Sequence, residues 1–255
     1  MIPVQDALVI FSAAIFGSSV NAVAGGGGFV SYPSLISAGA GPLAANAIST
    51  VALWPGNMAS FRAYRTDADY SWKQTGPLIM AITLGGLIGS LLAVKSSPAL
   101  FSRFVPFFLL FTWLVFVCSP VIIRRFLAGP QQHTGIAGKT VILLLTGIYG
   151  GFFGAGLGML LLTIFSFLGY RQLNEMNGLK VLLVSWNNGI AAITFIASRM
   201  IIWEHTLIML TGALLGGYYG ARLARKIPQA VLRKIIVVLG AVITLLFFLK
   251  EYYPH

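Results

Sequence analysis

A glycine-rich interruption of an apolar stretch occurs twice in this chain, 130 residues apart, and that repetition constrains the fold more than any other feature. Without gaps, Gly17 aligns with Gly147, Gly26 with Gly156, Gly28 with Gly158, Gly39 with Gly169, Leu43 with Leu173, Val51 with Val181 and Asn57 with Asn187. One inserted residue then shifts the offset to 131, pairing Trp72 with Trp203, Thr75 with Thr206, Gly85-Gly86-x-x-Gly89 with Gly216-Gly217-x-x-Gly220, and Lys95 with Lys226. Interrupted helices at corresponding positions of two repeats are the pattern of a transporter, because the breaks tend to meet at one substrate site near mid-membrane. The repeat divides the chain into 1–130 and 131–255, two halves of one membrane domain.

The solvent follows from composition. With 57% hydrophobic and 9% charged residues and a mean hydropathy of +0.86, the chain has too little polar surface to cover a water-soluble domain. Apolar stretches approaching the ~20 residues that cross a bilayer read at 7–24, 43–61, 74–94, 104–123, 139–153, 181–198, 206–222 and 235–250, with shorter pieces at 29–38 and 159–168. The expected fold class is all-α: a polytopic integral membrane protein of two inverted repeats, each a glycine-broken helical hairpin followed by three transmembrane helices. The net charge of +11 does not point to nucleic acid, since Lys and Arg lie almost wholly in the short connections, where they set topology. Met1 to Ala7 carry Asp6 and no Lys or Arg, so no cleavable signal peptide is expected. The single cysteine, Cys118, excludes an intramolecular disulfide.

Loop charge separates two threadings. If each glycine-broken segment crosses once, the positive residues divide eight to nine, which is no bias. If 7–38 and 139–169 each enter and return as a hairpin, thirteen (Arg62, Arg65, Lys73, Arg124, Arg125, Lys139, Arg171, Lys180, Arg222, Arg225, Lys226, Arg233 and Lys234) share one side, against four (Lys95, Arg103, Arg199 and Lys250) on the other. That is a usable positive-inside signal. Each half then makes an odd number of net crossings, the second half inserts upside down relative to the first, and both termini face away from the cytoplasm.

The breaks carry the chemistry. Gly25, Gly26, Gly27 and Gly28 let a helix stop and restart at a depth where lipid-exposed irregular backbone is forbidden, so the break must be buried in protein or line a cavity. A helix restarting at Phe29 aims free N–H groups and a positive dipole end into that cavity, and Gly154, Gly156 and Gly158 before Met159 offer the same from the opposite face. Two such ends converging make an anion site. Gly85, Gly86, Gly89, Gly216, Gly217 and Gly220 stand at helical spacing and suit close helix packing instead. Neither run carries the Lys-Ser/Thr of a phosphate loop.

Polar residues inside spans are functional or pair across helices. Asn21, Asn46, Ser49, Thr50 and Asn57 lie in or beside the first break, and Asn174, Asn177, Lys180, Asn187 and Asn188 beside the second. Lys180 either snorkels to the interface or neutralises an anionic substrate. No cofactor or metal is expected: His133, His205 and His255 are scattered without ligand spacing, and no intramembrane pair of carboxylates supports an enzyme. The remaining rivals are an anion channel, which uses the same helix-end chemistry, and an importer of a related small anion coupled to an ion.

These residues resemble the sulfite exporter TauE/SafE family. The resemblance lies in Gly25-Gly26-Gly27-Gly28-x4-Pro33-x-Leu35-x3-Gly39-x2-Pro42-x3-Asn46-Ala47-x-Ser49-Thr50, in Arg65-x3-Asp69-Tyr70, and in Gly154-Ala155-Gly156-x-Gly158 with Asn177-x2-Lys180-x7-Asn188. It implies a multi-pass protein of the bacterial inner membrane that moves small sulfur-containing anions, sulfite or organosulfonates. Its partners would be that anion, the lipid bilayer and a possible second copy in a homo-oligomer. With the cytoplasm negative, an anion leaving gains about 2.3 kcal/mol per charge per 100 mV, so efflux can run without a coupled ion whereas uptake cannot.

Overall fold

The computed structural model describes residues 2–24, 26–64, 72–128, 135–170, 172–220 and 229–253. Among them every regular element is helical, in the order α1 (Val4–Ala24), α2 (Gly28–Ser37), α3 (Pro42–Tyr64), α4 (Trp72–Lys95), α5 (Pro98–Ala128), α6 (Ile136–Phe152), α7 (Leu157–Phe167), α8 (Leu173–Ala197), α9 (Trp203–Leu215) with a π-helical turn at Gly216–Gly220, and α10 (Gln229–Tyr252). Five elements precede residue 130 and five follow it, in the same order of long and short. The expected half boundary itself, like Gly25, Arg65, Asp69 and Tyr70, lies outside the described residues.

Four of these helices contain stretches long and apolar enough to cross a membrane: Val4–Asn21, Thr75–Lys95, Pro98–Phe126 and Glu175–Ala197. Large apolar side chains stand exposed along them, among them Leu84, Ile88, Leu91, Phe104, Phe107 and Phe111. In water such a surface would aggregate; in lipid it is the solvent-matched face. The chain is a multi-pass membrane protein.

The hydropathy windows mark every helix, but they misplace one end with consequence. α8 begins at Leu173 rather than 181, because polar Asn174, Asn177 and Lys180 depress the apolar average, while the helix still accommodates Lys180, which is buried. Lys180, counted above among the loop charges, therefore lies inside a helix. The restarts also fall slightly earlier than expected, at Gly28 rather than Phe29 and at Leu157 rather than Met159.

Two glycine seams order the bundle. On α4, a Cβ added to Gly85 would lie 2.9 Å from the Cα of Gly147 on α6, and one added to Gly89 would lie 2.8 Å from the amide of Phe152. Gly151 meets the Gly86 backbone at the same seam. On α9, Gly212 faces the Phe11 carbonyl and Gly216 the Ile15 backbone, while Ser19 Oγ, which donates to the Ile15 carbonyl of its own helix at 2.6 Å, lies 3.1 Å from the Gly216 carbonyl. In both seams residue numbers rise together, so α4 runs parallel to α6 and α1 parallel to α9. Such contact lets backbones approach where lipid offers no hydrophobic drive to associate. By contrast α5 and α10 are antiparallel: Trp113 Nε1 donates to the Val237 carbonyl (2.8 Å), Phe107 packs edge-on to Phe248, and Tyr252 Oη donates to the Arg103 carbonyl (3.0 Å).

Replacing Gly85 with leucine should split the α4–α6 seam. Overpacking of this kind costs about 1–3 kcal/mol, and the backbone contacts leave no flexible side chain to yield. We expect a lowered melting temperature in detergent for Gly85→Leu and a near-native one for Gly76→Leu, whose added Cβ meets nothing within 4 Å.

Candidate functional site

The two breaks touch. α1 and α2 form a hairpin, with Gly17 against Ser31 (2.6 Å from an added Cβ to Oγ) and Gly27 against Asn21 (2.8 Å to its Cβ). At its tip, a Cβ added to Gly28 would stand 2.9 Å from Cβ and 3.0 Å from Cα of Ala155, in the break between α6 and α7. The second break turns through two left-handed glycines, Gly154 (φ 71°) and Gly156 (φ 73°). It is pinned by the Tyr149 hydroxyl, which donates to the Ala155 carbonyl at 2.7 Å, and by the Thr112 hydroxyl, bonded to Tyr149 and 3.1 Å from the same carbonyl.

Where the breaks meet lies a small, partly open cavity. It is lined by Asn21, Gly28, Asn46, Ser49, Thr50, Gly154, Gly156, Gly158 and Asn188, all candidates from the sequence, and by Tyr32, Leu53, Phe153, Ala155, Leu157 and Val184. Gly28 and Gly158 place the first turns of α2 and α7 at its wall, where the amides of Phe29, Val30, Leu157 and Met159 already turn back to the carbonyls of Gly26 (3.2 Å), Gly27 (3.1 Å), Gly154 (3.2 Å) and Gly156 (3.0 Å), so that these helix ends offer mainly their dipoles. None of the described lining residues is charged.

Hydrogen-bond accounting shows which donors are free. Asn46 Nδ2 spends one N–H on the Phe152 carbonyl (2.9 Å), tying α3 to the second hairpin and leaving its other N–H. Ser49 Oγ (3.0 Å) and Thr50 Oγ1 (2.9 Å) both donate to the Asn46 carbonyl on their own helix, so their protons are committed. Asn188 makes no hydrogen bond among the described residues, and its amide is the most available donor on the wall. Tyr32, 2% exposed, has a buried hydroxyl without a partner among those residues.

The other candidates stand elsewhere. Asn57 accepts from Asn21 Nδ2 (2.8 Å) and so braces the first hairpin. Asn187, fully buried, donates to the carbonyls of Ile82 and Gly147 at 3.0 Å each, stitching α8 to both α4 and α6. Gly26 and Gly27 are buried behind Gly28, outside the lining. Lys180 bonds Asn177 (Nζ to Oδ1, 3.0 Å) one turn before Val184 and is likewise absent from the wall. Gly25 falls outside the described residues. Sequence reasoning passed over Tyr32, which reads like any membrane aromatic, and Thr112, which the search for polar residues within spans could have flagged.

A transporter architecture with paired breaks agrees with the comparisons. A family model described as Sulfite exporter TauE/SafE matches residues 10–247. This chain belongs to the TauE/SafE family. Among relatives, a "Probable membrane transporter protein" of Haemophilus influenzae is 24% identical over 237 residues, 92% of each chain. The "Probable membrane transporter protein YfcA" of Escherichia coli is 29% identical over 242 residues, 92% of this chain and 87% of its own. No solved structure matches. The TauE/SafE match spans both hairpins, so the cavity lies wholly within the matched residues. The protein is a membrane transporter by family.

Proposed function

We propose that this protein carries a small sulfur oxyanion, sulfite or a short organosulfonate, out of the bacterial cytoplasm through the cavity between two inverted halves. The observation that carries the reading is the contact of Gly28 with Ala155, which brings two helix N-termini to one uncharged wall. Helix-end dipoles and neutral donors favour an anion without the tight hold of a fixed cation, and a transported ion must leave as readily as it enters. Inversion is supported by direction: α5 and α10 are equivalent in the repeat and antiparallel, while α1 and α6 each lie parallel to the other half's fourth helix. Halves meeting near residue 130, a bacterial inner-membrane location and the outward-facing termini belong to the same reading.

Proteoliposomes loaded with sulfite or ethanesulfonate, with an inside-negative potential imposed by potassium and valinomycin, test it. The expected result is release several-fold above protein-free vesicles, rising with potential and saturating with anion. Equal release with and without protein for both anions would end the reading, and non-saturating flux without counter-exchange would convert the carrier to a channel.

A further inference from the structure

Lys180 is a charged side chain that the cavity does not use. It is 3% exposed, and Met176, Leu179, Val181, Leu182, Leu183 and Val184 around it on α8 are buried as well, so the ammonium does not snorkel to an interface. An ammonium carries three donors. Among the described residues one acceptor meets it, Asn177 Oδ1 at 3.0 Å, and no carboxylate pairs with it. A buried charge held by one neutral amide is far from compensated.

Its position on the helix says where it acts. At 100° per residue, Asn177, Lys180, Val184 and Asn188 fall within about 80° of arc on one face of α8, and the last two of them line the cavity. Lys180 lies about 6 Å along the axis from Val184 and about 12 Å from Asn188. Helical side chains lean toward the N-terminus, and the bond to Asn177, three residues earlier, follows that lean. The ammonium is therefore turned away from the cavity, toward the end of α8 that the proposed topology sets at the cytoplasm.

We propose that Lys180 and Asn177 form a second anion position on the same path, entered from the cytoplasm before the cavity and separated from it by Val184. It rests on the transport reading above. A cation deep in the protein draws the anion in against the low dielectric, and the neutral cavity beyond it holds the ion loosely enough to release it.

Counting sites tests this directly, by equilibrium dialysis of purified protein with radiolabelled sulfite and with ethanesulfonate. The wild type should bind two anions per chain, Lys180→Met one, Asn188→Leu one, and Lys180→Arg two. In vesicles, Lys180→Met should lose at least tenfold in Vmax/KM, with Lys180→Arg within threefold of wild type. A wild type that binds one anion, with an affinity unchanged in Lys180→Met, overturns the second position and leaves the cavity reading intact. A wild type that neither binds nor moves either anion overturns the transport reading itself. If Lys180→Met does not fold, the site count of Asn177→Leu against Asn188→Leu decides, two sites in Asn177→Leu overturning the proposal.

Discussion

Gly156→Ala should be strongly destabilising, lowering stability by about 2–5 kcal/mol. Two independent costs add. Gly156 sits at φ 73°, a conformation that charges any residue with a Cβ about 1–2 kcal/mol. The new Cβ would also run into the γ-methyl of Thr112 on α5, and overpacking a fitted contact costs about 1–3 kcal/mol more. Thr112 is held in place, because its hydroxyl is bonded to the Tyr149 hydroxyl and lies 2.8 Å from the Phe108 carbonyl. The two costs can be separated by removing only the methyl. In a Thr112→Ser background the steric part vanishes and the backbone part stays, so Gly156→Ala should cost about half as much there. The measurement is thermal or denaturant unfolding of the four proteins of this cycle in detergent. Equal penalties in both backgrounds would show that the Thr112 contact yields freely.

Much of this arrangement was legible in the sequence, and what was not has physical causes. Glycine breaks announce themselves because four successive glycines serve no packing groove, and the Gly85-Gly86-x-x-Gly89 run announces a seam because small residues at helical spacing do. Asn46 and Asn188 were found as polar groups in apolar surroundings. The same criterion could not tell them from Asn187, since an amide that stitches helices and one that lines a cavity differ only in what stands opposite. The repeat suggests paired roles for Asn57 and Asn187, and both do brace helices, but one grips a side chain and the other two backbone carbonyls. Lys180 illustrates a different limit. A hydropathy window places helix ends where the average falls, and a helix whose first turns carry polar residues begins before the window can see it.

Asn188→Leu should abolish most transport while leaving the fold in place. The side chain makes no hydrogen bond among the described residues, so removing its amide orphans no partner, and leucine is close to it in volume. The anion loses a donor. A hydrogen bond to a charged group contributes about 1.5–3 kcal/mol, and each 1.4 kcal/mol is tenfold in affinity, so binding of sulfite or ethanesulfonate should weaken by about 10- to 100-fold. Asn188→Gln, which keeps the amide on a longer stem, should recover part of it. Ser49→Ala is the contrast within the same wall: its proton is already committed to the Asn46 carbonyl, so its loss should change affinity less than about threefold, below the effect of one net hydrogen bond. Uptake and efflux in vesicles, with the melting temperature of each variant measured in parallel, distinguish these outcomes. If Ser49→Ala weakened binding as much as Asn188→Leu, the hydroxyl must leave its own helix to reach the ion, and the free donors of the cavity would have to be reassigned to α3. If Asn188→Leu transported normally, α8 would contribute only wall to the cavity. The ion would then be held by the end dipoles of α2 and α7 and the second N–H of Asn46.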